Sequence, residues 1–245
     1  MDVSPIVTTA APEPLPDKAE GLKYWNNVDS DINAMLGGVP SVQGFSVTSR
    51  VDLQGSRNFL AKLGIGAKPG LRIVDSALED GAGIGRVTEG LLLKVAKQVD
   101  IIEPVIKFTD GLQHKPGIRA IHNIGLDDWI PTKDDSYDLV WIQWCVGHLT
   151  DPQLVQHLER CKAALNPDGG VIVVKENINS IDEDFFDETD SSVIRQDAKF
   201  RALFKQAGLT LFKTELQKGF PKSHLGKLLP VRVYALKSIA PTVRK

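Results

Sequence analysis

Cysteine, methionine and tyrosine are scarce in this chain, with two, two and three among 245 residues, and no apolar run is long enough to span a bilayer. Two thiols cannot complete a zinc site on their own. Cys145 and Cys161 fall where the pattern reads as a buried strand end and a helix, so reduced structural cysteines are expected. An excess of either charge is also missing: 29 Lys and Arg face 31 Asp and Glu, for a net charge of -2. That balance offers no electrostatic footprint for a phosphate backbone and disfavours a nucleic-acid partner. The first residues lack the basic-then-apolar order of a secretory signal, so a soluble, intracellular protein with no membrane association is expected. Residues 1–17 are rich in Pro, Ala, Thr and Ser and have too little apolar surface to offset the entropy of ordering them, so they read as a disordered tail. There is no internal repeat.

What the chain does have is 42% hydrophobic residues, enough at this length for one large core. Apolar runs separated by helical spacing predict strands at 71–78, 99–103, 118–124, 137–144 and 170–177, with helices over 86–98 and 151–165. Asn166-Pro167-Asp168-Gly169 is a strong helix stop. Beyond the fifth strand the spacing predicts an acidic loop, a helix over 191–207 and two alternating segments, 210–216 and 231–236, suited to a terminal antiparallel pair. Helices over 18–36 and 50–63 are expected ahead of the first strand. The expected class is α/β and Rossmann-like: a seven-stranded, mostly parallel sheet with an antiparallel terminal strand and an N-terminal helical extension. A single domain over 18–240 follows, with 18–66 as a helical cap and 67–240 as the core.

The sharpest motif is Glu79-Asp80-Gly81-Ala82-Gly83-Ile84-Gly85-Arg86, between a predicted strand and a predicted helix. Glycines allow a tight turn and let a ligand approach where a Cβ would collide. The G-x-G-x-G spacing, with an acid two residues upstream, departs from the G-x-G-x-x-G of dinucleotide sites and suits the methionine part of S-adenosylmethionine. Glu103, closing the second strand, is placed to accept from a ribose hydroxyl pair, although alone it reads as a solvated strand end. Arg86 is placed to meet a ligand carboxylate. Gly125-Leu126-Asp127-Asp128-Trp129 and Gln143 lie at carboxyl ends of strands, where open α/β sheets bind ligands. Leu126 reads equally as core and as adenine wall.

One string is distinctive: Trp141-Ile142-Gln143-Trp144-Cys145-Val146-Gly147-His148-Leu149-Thr150-Asp151. With Tyr24-Trp25, Met35-Leu36-Gly37-Gly38, the glycine motif, Val174-Lys175-Glu176-Asn177 and Asp190-Ser191-Ser192, the chain closely resembles the protein N-terminal methyltransferases over about residues 18 to 237. Members of that family use S-adenosylmethionine, releasing S-adenosylhomocysteine, to methylate the α-amino group of proteins beginning Xaa-Pro-Lys. The resemblance implies cofactor contacts at Gly81, Gly83, Arg86, Glu103, Leu126, Asp127 and Gln143. It implies substrate contacts at Tyr24, Trp25, Leu36, Trp144, Asn177 and Ser192, with Asp187 facing the substrate lysine. His148 and Asp190, together with Asn177, would carry the chemistry at the amine. Ribosomal proteins are the implied partners, and the cytoplasm, extending to the nucleus, is the implied location.

This sequence departs from the family in four places. Glu79-Asp80 stands for Asp-Cys, Glu103 for Asp, Asp127 for Gln, and Val231 for a frequent aromatic residue. The first two exchanges keep the carboxylate, while the third alters an adenine contact and the fourth one wall of the substrate channel. The residue types suit amine methylation. An α-amino group of pKa about 7.7–8.0 must shed a proton before it attacks, and a carboxylate and an imidazole are suitable partners for it. Taken alone, His148 reads as a structural histidine, and Trp25 and Trp144 read as core. The acidic run from Asp182 to Asp190 would steer a cationic peptide, or would be a plain solvated face. Two rival readings share the fold: a small-molecule or RNA methyltransferase, and a non-catalytic cofactor-binding interaction protein.

Overall fold

The apolar runs pair into one sheet because their side chains must be covered on both faces, as in parallel sheets flanked by helices. The computed structural model describes residues 15–181, 183–222 and 228–238. The expected tail lies outside these up to residue 14, as do residues 239–240 of the expected domain. Seven strands make the main sheet: β1 (Val74–Asp80), β2 (Ala96–Ile102), β3 (Ile118–His122), β4 (Leu139–Gln143), β5 (Val171–Asn177), β8 (Leu209–Leu216) and β9 (Val231–Ser238). Their order is β3-β2-β1-β4-β5-β9-β8. The first five run parallel, and β9 is antiparallel to both of its neighbours. Strands β6 (Phe185–Asp187) and β7 (Ser192–Ile194) form a separate antiparallel ribbon.

Period-two alternation divides the core. Leu78, Val140, Ile142, Ile172 and Val174 pack toward α6 (Asp151–Ala163) and α7 (Asp197–Gln206), through Leu154, Leu158, Phe200 and Phe204. Ala77, Leu139, Trp141, Val171 and Val173 face the other way, onto Phe59 and Leu60 of α3 (Thr48–Ala61). A capping box between Thr150 and Gln153 starts α6.

Several expected boundaries shift for identifiable reasons. The helix expected over 86–98 is only α4 (Arg86–Gly90), followed by a 3-10 turn at Leu92–Lys94, and β2 begins at Ala96. Gly90 weakens a helix there. It is kept small because a Cβ would sit 2.6 Å from Leu53 Cδ1. The first strand starts later and runs on through Glu79 and Asp80, which pair with Ile101 and Ile102 on one side and Trp141 and Ile142 on the other. The acid pair therefore belongs to the strand and not to the turn. The helix expected over 18–36 is two, α1 (Lys18–Asn27) and α2 (Ile32–Met35), separated where Asp31 caps Ala34 N. The helix expected over 191–207 begins only at Asp197, because Ser192–Ile194 is taken up by the ribbon with β6. The acidic loop thus contains a strand that its charges concealed. A last short helix, α5, spans Ile106–Thr109.

Candidate active site

The strand order reverses between β1 and β4, and the carboxyl ends of strands at such a point are where open α/β sheets bind ligands. A cleft of about 1110 Å³, counting its open mouth, lies there. Gly81, Gly83 and Gly85 all have positive φ, at 62°, 54° and 81°. A Cβ on Gly81 would meet Cys145 Cβ at 2.5 Å, and one on Gly83 would meet Met35 Sδ at 2.6 Å. The turn is therefore held at glycine both by backbone conformation and by packing. Glu103 fixes it from β2: Oε2 accepts from Gly83 N at 2.8 Å, and Oε1 accepts from Val105 N at 2.9 Å. Each oxygen keeps a second lone pair. Glu79, at the base of the cleft, accepts from Thr88 Oγ1, and burial pushes its carboxyl up to about 8. A glycine cradle, an acid beside it and Arg86 on its rim fit the adenosyl and amino-acid portions of S-adenosylmethionine.

A second cleft, of about 1280 Å³, opens beside the first and shares Trp25, Met35, Trp144 and His148 with it. Its wall is built on backbone strain. Trp144 leaves β4 with φ of 54°, a left-handed conformation that costs a bulky residue energy. Glu176 maintains it, because Oε1 accepts from Cys145 N at 2.9 Å and Val146 N at 3.2 Å, while Oε2 accepts from Asn177 N at 3.2 Å. The Arg86 guanidinium lies 5.3 Å from the centre of the Trp144 ring, joining the two clefts. Trp25 Nε1 donates to His148 Nε2 at 2.9 Å, and His148 Nε2 is 3.9 Å from Asp190 Oδ2. Burial lowers the His148 pKa, against opposing pulls from Asp190 and the Ser191 backbone. Trp144 Nε1 and Asp190 Oδ1 are buried without a hydrogen-bond partner among the described residues. An orphaned buried polar atom costs about 1–3 kcal/mol, so such atoms mark places that a ligand completes.

Of the residues singled out from the sequence, Gly81, Gly83, Arg86, Glu103, Leu126, Asp127 and Gln143 line the first cleft, and Trp25, Trp144 and His148 line both. Leu36, Asn177, Asp190 and Ser192 line the second. Tyr24 and Asp187 line neither. Tyr24 packs edge-on against Trp25 at 5.2 Å, and its hydroxyl is pushed up by burial and then by Asp190 and Asp187. Several assumed contacts are already engaged within the protein. Gln143 spans Trp141 Nε1 and Asp52, Arg86 pairs with Asp52 at 2.8 Å, and Asp127 pairs with Lys18 at 2.9 Å. The acidic run is partly spent on structure, since Asp184 accepts from Gln196 N at 3.0 Å. Asp182 lies outside the described residues. Sequence reasoning passed over Asp52, Lys175 and Glu176 as working residues. Asp52 shares the buried face of α3 with Ser56 and Phe59, and Lys175 interrupts an apolar strand, so the visible signal was charge at core positions.

Burial pushes Glu176 up to about 7 from 4.5, against the three backbone N–H groups it accepts. The native state then holds a proton that the unfolded chain has released, so this group's contribution to stability falls as pH rises from 4.5 to 7 and levels off above. Glu176→Gln does not titrate. Its Tm is expected to fall less than the parent's over that interval, and equal slopes would contradict this reading.

A sheet wound in this order, its last strand reversed and its glycine turn opening at the switch point, is the frame of the S-adenosylmethionine-dependent methyltransferases. A solved SAM-dependent methyltransferase from Leishmania major superposes with a TM-score of 0.76 at 32% identity, covering 89% of this chain and 82% of that one. Within that class the chain belongs to the AdoMet dependent proline di-methyltransferase family, whose model matches residues 16–237. It is 42% identical over 222 residues to alpha N-terminal protein methyltransferase 1 of Schizosaccharomyces pombe, spanning 89% of this chain and 94% of that protein. To N-terminal Xaa-Pro-Lys N-methyltransferase 1 of Xenopus tropicalis it is 38% identical over 211 residues, spanning 81% and 87%. No described helix is long and apolar enough to cross a membrane.

Proposed function

We propose that this chain methylates the free α-amino group of proteins beginning Xaa-Pro-Lys, using S-adenosylmethionine and releasing S-adenosylhomocysteine. The observation that carries the reading is a set of buried, unpartnered atoms, Trp144 Nε1, His148 Nδ1 and Asp190 Oδ1, in a cleft continuous with the glycine turn. The relatives' names supply the substrate class. When bound, the cofactor supplies a methyl group on a cationic sulfur. The protein's own work is to deliver a neutral amine to it in line, which is mostly positioning.

Gly81 and Gly83 receive the methionine part of the cofactor and Glu103 the ribose, with Leu126 and Asp127 at the adenine and Arg86 at the carboxylate. Gln143 works from beneath, through the hydrogen bonds that fix it. Trp25, Trp144 and Leu36 give the flat apolar walls that a proline at position two needs. Asn177 and Ser192 offer donors and acceptors to the extended peptide, while Tyr24, which backs Trp25, and Asp187 would act from outside the two clefts, Asp187 on the substrate lysine. At the amine, the Trp25 indole N–H occupies the lone pair of His148 Nε2, so the unpartnered Nδ1 of the neutral ring carries the hydrogen and cannot accept, whereas Asp190 Oδ1 is free to do so. Asp190 is therefore the group that meets the ammonium and draws off its proton, and His148 holds Trp25 and the local charge in place. Protein N-termini of this kind, ribosomal proteins among them, are the substrates we expect, in the cytoplasm and nucleus.

The test is incubation with labelled S-adenosylmethionine and peptides beginning Xaa-Pro-Lys, beside N-acetylated copies. Label on the free peptide alone is the expected result. Label on both would move the target to the lysine side chain, and label on neither would return the chain to the small-molecule or non-catalytic readings.

A further inference from the structure

Lys175 is completely buried on β5 and gives its ammonium to α3: to Asp52 Oδ1 at 2.5 Å, the Asp52 carbonyl at 3.1 Å and Ser56 Oγ at 2.9 Å. Asp52, also completely buried, turns Oδ2 to Arg86 Nη1 at 2.8 Å and takes both oxygens of its carboxylate to within 3.1 Å of Gln143 Nε2. Burial alone would raise the Asp52 carboxyl, but Lys175 and then Arg86 outweigh it and hold it below the ordinary range. Two cations thus share one carboxylate, leaving the cluster a unit of positive charge in excess. Of the three charged members, Arg86 is the one that lines the cleft.

We infer that Asp52 is the positioning residue for cofactor binding: it aims Arg86 at the amino-acid carboxylate of S-adenosylmethionine and makes helix α3 part of the cofactor site. The inference rests on the proposed role of Arg86. Buried charges are retained only when their geometry is satisfied, and a guanidinium tied at one nitrogen loses less freedom when its fork closes on a carboxylate. Lys175 offsets most of the charge with which Asp52 would otherwise silence Arg86. Docking of α3 and capture of the cofactor's amino-acid end are then a single event, joined through Lys175, Asp52 and Arg86.

The discriminating ligands are S-adenosylhomocysteine and 5′-methylthioadenosine, which keeps the adenosine and thioether and lacks the amino acid. Affinities are measured by titration calorimetry for the parent, Arg86→Ala, Asp52→Asn and the double variant Asp52→Asn with Lys175→Met. The double variant removes one charge of each sign, so it leaves no orphaned ammonium to unfold the chain. Both Asp52 variants are expected to lose about tenfold or more in S-adenosylhomocysteine affinity, the scale of one charge-assisted hydrogen bond, with 5′-methylthioadenosine affinity unchanged. Equal losses for the two ligands would reduce Asp52 to a packing role, and unchanged or tighter S-adenosylhomocysteine binding would overturn the inference directly. If Arg86→Ala fails to separate the ligands, the role of Arg86 falls first and the inference with it. If it separates them while the Asp52 variants do not, only the inference falls.

Discussion

Asp190→Asn is expected to lower turnover on an Xaa-Pro-Lys peptide by about 10²-fold or more, the range of a lost general base, with S-adenosylhomocysteine affinity unchanged. The substitution is nearly isosteric, so it preserves the turn between β6 and β7 and the 3.9 Å approach to His148. What it removes is charge. A protein α-amino group with pKa about 7.7–8.0 arrives largely protonated at neutral pH, and an amide neither attracts the ammonium nor takes its proton. Cofactor binding draws on the other cleft, whose lining does not include Asp190.

The pH profile separates this role from a structural one. Above the amine's own pKa the substrate arrives neutral, so the deficit of Asp190→Asn is expected to shrink as pH rises. His148→Asn should behave differently. The Trp25 indole already occupies Nε2, and burial lowers the imidazole's pKa, so its loss should act chiefly on peptide KM through a displaced Trp25. Parental turnover in Asp190→Asn at neutral pH would remove the carboxylate from the chemistry altogether.

The fold was legible where burial imposes one pattern. β4 and β5 are buried on both faces and stand within a few residues of expectation, as does α6 with its capping box and its Pro and Gly stop. Legibility failed where tertiary contact overrides propensity. Val87, Leu91 and Val95 carry helical spacing, yet the Val95 carbonyl accepts from Val74 N and the chain is drawn into β2. Phe185 and Phe186 sat inside a charge run that hid a strand. The site followed the same division. The glycine turn is a local event written in adjacent residues, and it was readable. Asp52, Lys175 and Arg86 are a long-range event: each is an ordinary charged residue until β5, α3 and α4 bring them together. A lysine directly after Val171-Ile172-Val173-Val174, within the same strand, was evidence that a partner had to exist, but nothing local named Asp52 as that partner.

Glu103→Ala should produce the largest loss on the cofactor side, and an unselective one. Glu103 is the clasp between the glycine turn and the end of β2, accepting from Gly83 N and Val105 N while itself almost fully buried. Burial raises its pKa and those two N–H groups pull the other way, so the carboxylate and the two amides stabilise one another. Alanine leaves both amides without their acceptor and removes the acceptor expected at the ribose. At about 1.5–3 kcal/mol for each hydrogen bond to a charged group, S-adenosylhomocysteine affinity should fall by about 10²-fold or more. Because the adenosine end is affected, 5′-methylthioadenosine should weaken to the same degree, the reverse of the selectivity expected at Asp52. Thermal unfolding should report the same damage, since about 1 kcal/mol shifts Tm by about 2–4 °C at this size. Glu103→Gln should fall between, because its amide oxygen can satisfy one backbone N–H while its NH2 opposes the other. Parental affinity for both ligands in Glu103→Ala would mean that the turn holds its shape unaided, and that the acid closing β2 plays no part in the cofactor site.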